Sequence, residues 1–335
     1  MDIREFILES VYRGKDEGLS RKIAVQSGIS RQAAQKHLRK LIKEGLLRMT
    51  GTTKAARYSL VPLVDEVRAI PLSSGLEEDV IWRTTVRPLL GDLHSNVLAI
   101  CNHGFTEMFN NVLDHSEGTR ASVRIKVTAY HVEMSVEDNG VGIFHKIQRD
   151  FGLEDERHAI LELSKGKLTS DPKRHSGEGI FFTSRMFDRF SIFSGKQVFV
   201  YSQEDSDWLL ENIGDHTGTA VVMEIGKSNS RTVKEVFDRY SSVDHPGFYR
   251  TQVPVFLVQY GDENLVSRSQ AKRVLTRVER FTEVILDFRG VSQIGQAFAD
   301  EIFRVFRQEH PEVNLVAINT TEEIDWMIQR AKNQA

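Results

Sequence analysis

The sequence is poor in cysteine and contains no long apolar run. Cys101 is the single cysteine among 335 residues, so the chain can form neither an internal disulfide nor a cysteine-based zinc cluster. Such cysteine usage is typical of a reducing compartment. No stretch approaches the roughly 20 apolar residues that a membrane helix needs, and the N-terminus lacks the basic-then-apolar pattern of a signal peptide. The sequence therefore predicts a cytoplasmic protein without a membrane segment.

The length and the breaker residues predict two or three domains. They divide the chain into a head at 1–61, a connector at 62–84, a central region at 85–230 and a tail at 250–335. The head carries 13 Lys and Arg against 6 Asp and Glu, whereas the whole chain has a net charge of -3. A basic head on an acidic body predicts a polyanionic partner for the head alone.

The head has the pattern of three short helices followed by a polar hairpin. Apolar spacing predicts a first helix over 3–12. Ser20 and Gly28 are expected to begin and end a second helix, and Ser30 to cap a third over 31–44. This third helix places its apolar residues on one side and basic and amide residues on the other.

The glycine turn, the basic amphipathic helix and a hairpin over 48–60 resemble, in this order, a bacterial winged helix-turn-helix domain. The resemblance implies that the third helix lies in the major groove of double-stranded DNA. Glutamines would read base edges and cations would contact phosphates. The predicted DNA-binding residues are Arg31, Gln32, Gln35, Lys36, Arg39, Lys54 and Arg57. The same pattern also fits a basic dimerisation module, and a homodimer is expected because operator symmetry usually mirrors protein symmetry.

One helix of the central region combines a core stripe with a polar face. Over 105–116, Glu107, Asn111 and Asp114 fall on one face and apolar residues on the other. The amide oxygen of Asn111 suits Mg²⁺, which prefers oxygen ligands. Glu107 can orient or deprotonate an attacking water or hydroxyl. By itself, the same pattern also fits a solvated helix face.

A strand pair and a glycine turn follow this helix. Alternating apolar residues at 123–127 and 132–136 predict two adjacent antiparallel strands. The second strand runs into Asp138, Gly140 and Gly142. A buried aspartate at a strand end can accept a hydrogen bond from a ligand N–H, and glycines let the backbone approach the ligand.

Two more stretches complete the pattern. Lys173, Gly177 and Gly179 precede an amphipathic helix, where backbone N–H groups at the helix N-terminus form a phosphate cradle. Further along, Gly218 and Thr219 enter a buried strand, where Thr219 is expected to bond Asp138 or a bridging water.

Together and in this order, the four stretches resemble the gyrase- and histidine-kinase-like (GHKL) ATP-binding domain, over about 85–230. The resemblance implies an α/β sandwich with a mixed, mainly antiparallel sheet and helices on one face. It implies ATP and Mg²⁺ as cofactors, Glu107 as the catalytic base and Asn111 as the Mg²⁺ ligand. The implied cofactor-binding residues are Asn111, Asp114, Asp138, Gly140, Gly142, Lys173, Gly177, Gly179 and Thr219.

The tail alternates strands and helices. A strand over 284–291 and a helix opening near 294–303 resemble the STAS-like domain of some bacterial regulators. In the related anti-sigma antagonists a serine at the helix N-terminus is phosphorylated, but here Gln296 and Ala297 occupy the matching positions and neither accepts phosphate. We expect a module for a protein partner or a signal, with simple packing against its neighbour as the alternative.

The sequence thus predicts a multidomain α+β protein with a winged-helix head, a GHKL sandwich and a small α/β STAS-like tail. The favoured function is a transcriptional regulator whose DNA binding is modulated by binding or hydrolysis of Mg·ATP. An anti-sigma-type serine/threonine kinase acting on a separate partner and a nucleotide-dependent scaffold without turnover stay open. A conventional histidine kinase is disfavoured, because His94 and His103 lie immediately before the Glu107 motif, where that family places a packing helix.

Overall fold

The computed structural model describes residues 2–52, 55–169, 176–203, 208–241, 247–259 and 263–333. Within these ranges the chain is mixed α/β and contains a two-stranded, a five-stranded and a three-stranded sheet. The two-stranded sheet lies in the head and the three-stranded sheet in the tail, whereas the five-stranded sheet combines the central region with a strand of the connector. No helix in these ranges has the length and apolar content needed to cross a membrane.

The head consists of three helices and a hairpin. Its elements are α1 (Ile3–Tyr12), α2 (Leu19–Ser27), α3 (Arg31–Lys43), β1 (Leu47–Thr50) and β2 (Arg57–Leu60). The Ser30 hydroxyl accepts a hydrogen bond of 3.2 Å from the Ala33 N–H and caps α3, as predicted. Gly28 ends α2 in the left-handed conformation. Ser20, expected to begin α2, lies inside it because this helix already begins after Gly18.

The central sheet has the strand order β3-β4-β5-β7-β6, with antiparallel neighbours throughout. The strands are β3 (Val64–Pro71), β4 (Arg120–Val127), β5 (His131–Asp138), β6 (Arg189–Ser202) and β7 (Trp208–Gly226). The predicted strand pair is confirmed, with Ile125 opposite Met134. Residues 64–71 differ from expectation: within the segment predicted as a connector they form an edge strand, since their polar residues tolerate solvent on both faces.

The helices of the central region pack against this sheet, either directly or through one another. They are α4 (Glu78–Ile81), α5 (Ser95–His115), α6 (Ile143–Phe151), α7 (Glu156–Lys165), α8 (Gly179–Met186) and α9 (Val233–Tyr240). The predicted apolar stripe of α5 is buried, and the rings of Phe105 and Phe109 stack with their centroids 5.4 Å apart. The polar face of α5 consequently turns away from the core.

The tail has a parallel sheet in the order β10-β9-β8. Its elements are β8 (Arg250–Pro254), α10 (Arg268–Leu275), β9 (Glu283–Asp287), α11 (Gln296–Asp300), α12 (Arg307–Glu309), β10 (Asn314–Ile318) and α13 (Glu322–Lys332). The tail contacts α7 through Lys165, which is 1% exposed. Its ammonium group donates to Glu162 Oε1 at 2.6 Å and to the Arg273 and Thr276 carbonyl oxygens.

The head packs against one end of the strands β5 and β7. The Tyr12 hydroxyl of α1 donates to Glu224 Oε2 of β7 at 3.0 Å. The Tyr12 ring lies with its centroid 4.6 Å from that of His131 on β5. Burial lowers the pKa of His131 to about 4, with a smaller contribution from nearby lysines. The imidazole is therefore neutral near pH 7.

We expect acid to weaken this packing through His131. Its folded-state pKa lies below the usual 6.5, so between pH 6.5 and pH 4 the unfolded chain binds more protons than the folded chain. The free energy of unfolding should therefore fall as the pH is lowered through this window, by about 3 kcal/mol from this residue. Urea unfolding at pH 7 and pH 4 measures the loss, and His131→Gln should reduce it. His145→Gln, at an exposed site, is the control; equal pH dependence in both variants would contradict the prediction.

Candidate functional site

A cavity of about 470 Å³ opens between α5, α6, α8 and the ends of β5 and β7. It brings together stretches that are far apart in the sequence. The predicted site residues that line it are Glu107, Asn111, Asp114, Asp138, Gly142, Gly177, Gly179 and Thr219. Gly140 is not among the lining residues, but its N–H donates to Asp138. Lys173 lies outside the described residues.

The polar face of α5 forms one wall of the cavity. Glu107, Asn111 and Asp114 point into it because the apolar residues of α5 face the sheet. The N-terminus of α8 approaches this wall at Gly179. A Cβ at that position would overlap the end of the Glu107 side chain, so the two helices come close together at this glycine. The arrangement places a carboxylate beside the N-terminus of a helix.

Asp138 forms the opposite wall and is 6% exposed. Its Oδ1 accepts hydrogen bonds from the Gly140 N–H at 2.8 Å and the Thr219 N–H at 3.3 Å. Among the described residues no donor is bonded to its Oδ2. Burial raises the pKa of this carboxyl, and the two backbone N–H groups offset part of the shift. Asp138 Oδ2 can therefore accept a hydrogen bond from a ligand N–H.

Thr219 joins its own strand to the stretch that runs from Asp138 to Ile143. Its Oγ1 accepts a hydrogen bond of 2.9 Å from the Ile143 N–H at the start of α6, while its own N–H reaches Asp138. The expected bond between Thr219 and Asp138 is thus present, but it comes from the backbone. Gly218 precedes it with φ 74°, and a Cβ there would overlap the Asp138 carbonyl oxygen. The backbones of Gly218 and Asp138 are therefore in close contact beside the cavity.

Lys146 and Asp150 also line the cavity, although neither is among the predicted site residues. Both lie on α6, and the Lys146 ammonium bonds Glu117 at 3.0 Å and lies 3.2 Å from Asp150. Hydrogen bonds from Arg149 and Lys146 lower the pKa of Glu117 to about 2. The sequence does indicate their position. Helix α6 begins directly after Gly142, so one face of this helix must border the same cavity.

A second polar surface lies on the head. The predicted DNA-binding residues Arg31, Gln32, Gln35, Lys36 and Arg39 are exposed on α3. Arg57 is exposed on β2, and its Nη2 lies 3.5 Å from Glu17 Oε1. Lys54 lies outside the described residues. The exposed side of α3 thus combines cations with amides.

We expect Gly218→Ala to destabilise the fold by about 3 kcal/mol, because a side chain adds overlap with a backbone oxygen to left-handed strain. The matched control is Gly152→Ala, where φ is 62° but nothing lies within 4 Å of the new Cβ. It should cost about 1–2 kcal/mol, the left-handed strain alone. Urea denaturation compares the two variants, and equal losses would show that the close contact is not rigid.

Comparison with known families identifies one part of the chain. Residues 270–325 match the family model of a STAS-like domain of unknown function. This range spans most of α10, all of β9 and β10 and the start of α13. No curated protein shows significant similarity to the chain. The prediction for the tail is confirmed: it contains a STAS-like domain.

Proposed function

We propose that the chain is an ATP-binding transcriptional regulator, in which a GHKL-type central domain binds Mg·ATP and a winged-helix head binds double-stranded DNA. One observation carries the proposal. Four stretches that were predicted from separate motifs line a single cavity. Isolated motifs of this kind are common, whereas their convergence on one concave site is not expected by chance.

The cavity suits a nucleotide in size and in chemistry. Its volume of about 470 Å³ lies within the roughly 300–1,000 Å³ typical of ligand pockets. Asp138 Oδ2 would accept a hydrogen from the adenine amino group. The backbone N–H groups near Gly177 and Gly179 would hold phosphates at the N-terminus of α8. The bulk of the ligand would then lie against the polar face of α5.

The same wall fits Mg²⁺ and a reacting group. Asn111 supplies an amide oxygen and Asp114 a carboxylate, both preferred by this ion, which would neutralise phosphate charge when bound. Glu107, held next to Gly179, would orient a water or hydroxyl toward the terminal phosphate. Transfer to a serine or threonine of another protein uses the same residues, so the kinase function stays a second candidate.

The strands β5 and β7 offer a route from this cavity to the head. Asp138 and Thr219 lie at the cavity, whereas His131 and Glu224 contact Tyr12 of the head. β5 has eight residues and therefore spans roughly 25 Å at about 3.3 Å per residue. A nucleotide that favours one arrangement of this strand pair would shift the position of the head. In this proposal the head forms a homodimer on DNA and the STAS-like tail binds a protein partner.

Binding and fate of ATP test the central domain. We expect Asp138→Asn to weaken ATP binding about tenfold or more, because the amide cannot satisfy all the partners of the carboxylate. Glu107→Ala should leave binding largely intact and abolish turnover. Calorimetry and γ-labelled ATP measure the two effects, with the exposed Glu137→Gln on the same strand as control.

The destination of the label separates the candidates. Release as inorganic phosphate indicates an ATPase, and transfer to a second protein indicates a kinase. Intact ATP with binding that depends on Asp138 indicates a nucleotide sensor without turnover. Failure of ATP to bind, or binding equally tight in Asp138→Asn, would remove the basis of the proposal.

DNA binding tests the head. We expect Arg39→Gln to weaken binding to duplex DNA of any sequence and to reduce the salt dependence of binding by about one counterion, because one phosphate contact is lost. Lys234→Gln removes the same charge from the exposed surface of α9 and should have no effect. Titrations at several fixed salt concentrations give both quantities, and equal behaviour of the two variants would contradict a DNA-binding α3.

The proposed regulation is measured in the same titrations with and without Mg·ATP. We expect a change in DNA affinity that disappears in Asp138→Asn. An affinity for DNA that is independent of Mg·ATP at fixed salt would show that the two modules are not coupled.

A further inference from the structure

A second cavity, of about 440 Å³, adjoins the first one. The two share Phe151, Thr169 and Ser176 as lining residues. The second cavity is also lined by Lys167 and Glu178 of the central domain, and by residues of the tail, Arg277 and Arg280. The tail thus borders the mouth of the proposed nucleotide site.

Hydrogen bonds join the backbone at Lys167 to the tail segment that contains Arg277 and Arg280. Arg277 Nη2 donates to the Lys167 carbonyl oxygen at 2.8 Å, and Lys167 Nζ donates to the Arg280 carbonyl oxygen at 3.0 Å. Both residues have positive φ, 53° for Lys167 and 65° for Arg277. Non-glycine residues in this region are strained, and such strain persists where the surroundings impose it, often at functional sites.

Among the described residues that line this cavity, three are cations and one, Glu178, is a carboxylate. Arg277 has Glu162 on its other side, with its Nε 3.8 Å from Oε2, and its guanidinium lies 5.0 Å from the Phe151 ring centroid. The side chain of Arg280 is exposed and has no partner among the described residues. The cavity therefore carries an excess of positive charge and holds at least one cation ready for a ligand.

The position of the excess charge suggests what it binds. Glu178, which lines the second cavity, lies between Gly177 and Gly179, which line the first, and Ser176 lines both. These glycines lie where the proposed phosphates begin. A phosphate chain extended past α8 would emerge between them and the tail. Guanidinium groups are well suited to bind such oxygens, since they donate in a planar fork.

We propose that Lys167, Arg277 and Arg280 bind the terminal phosphate of a nucleoside triphosphate held in the first cavity. This inference rests on the proposed ATP binding and adds to it a role for the tail. The STAS-like tail would complete the phosphate site, so that the chain distinguishes a triphosphate from a diphosphate partly through Arg277 and Arg280, which lie outside the GHKL-like domain.

Calorimetry on the full chain tests this site with Mg·ADP and with a non-hydrolysable Mg·ATP analogue. We expect Arg280→Gln to weaken binding of the triphosphate about tenfold, the loss typical of one charge-assisted hydrogen bond. Diphosphate binding should change less than about twofold, because ADP lacks the group in question. Arg277→Lys should fall between the wild type and Arg280→Gln, since it keeps the charge and loses the fork.

Arg307→Gln is the matched control, because it removes an exposed cation of the tail that lines neither cavity. It should change neither affinity. Equal losses for both nucleotides in Arg280→Gln, or no loss for either, would overturn the role of the tail while leaving ATP binding intact. Inorganic phosphate that binds through Arg280 without any effect on nucleotide preference would also overturn it, since the site would then serve a separate anion. If the wild type binds neither nucleotide, the proposed function fails first.

Discussion

The antiparallel pairing of β5 with β7 is the contact on which the rest of the molecule depends. It sets Glu137 opposite Ala220 at the end of the strands that leads to Asp138, and His131 opposite Gly226 near the head. Since side chains alternate between the two faces of a sheet, a shift by one residue would reverse every one of them. The buried Val132, Met134 and Val136 fix the register through the core. Asp138 reaches the cavity only because this register is fixed.

The local patterns of the sequence predict much of this architecture. The spacing of apolar residues predicts the polar face of α5, because the apolar stripe packs in the core and the opposite face stays exposed. The alternation of apolar and polar residues predicts β4 and β5. A serine directly before the basic helix, Ser30, predicts the N-terminal cap of α3. Each of these features depends on neighbours within a few positions, and such dependence is visible in a single chain. The STAS-like nature of the tail is also recognisable from sequence, over 270–325.

Other features depend on contacts between distant segments and leave no local trace. Val64–Pro71 has the composition of a linker and becomes a strand only because β4 offers it an edge. Lys146 has the spacing of an ordinary helix cation, and its position at the cavity follows from how α6 is anchored by Thr219. The hydrogen bonds between Lys167 and the tail join residues about a hundred positions apart, and the sequence around these residues does not predict them.

The order of the strands also has a consequence for synthesis of the chain. β4 pairs with β5 across a short turn, and β6 pairs with β7. The pairing of β5 with β7 can form only after β7 has been synthesised. The Asp138 wall is complete only when the Thr219 N–H and hydroxyl have been made. The head closes its own small core within the first 60 residues, and N-terminal units generally fold first as a chain emerges from the ribosome. A growing chain therefore presents its basic helix to the surroundings well before the cavity exists.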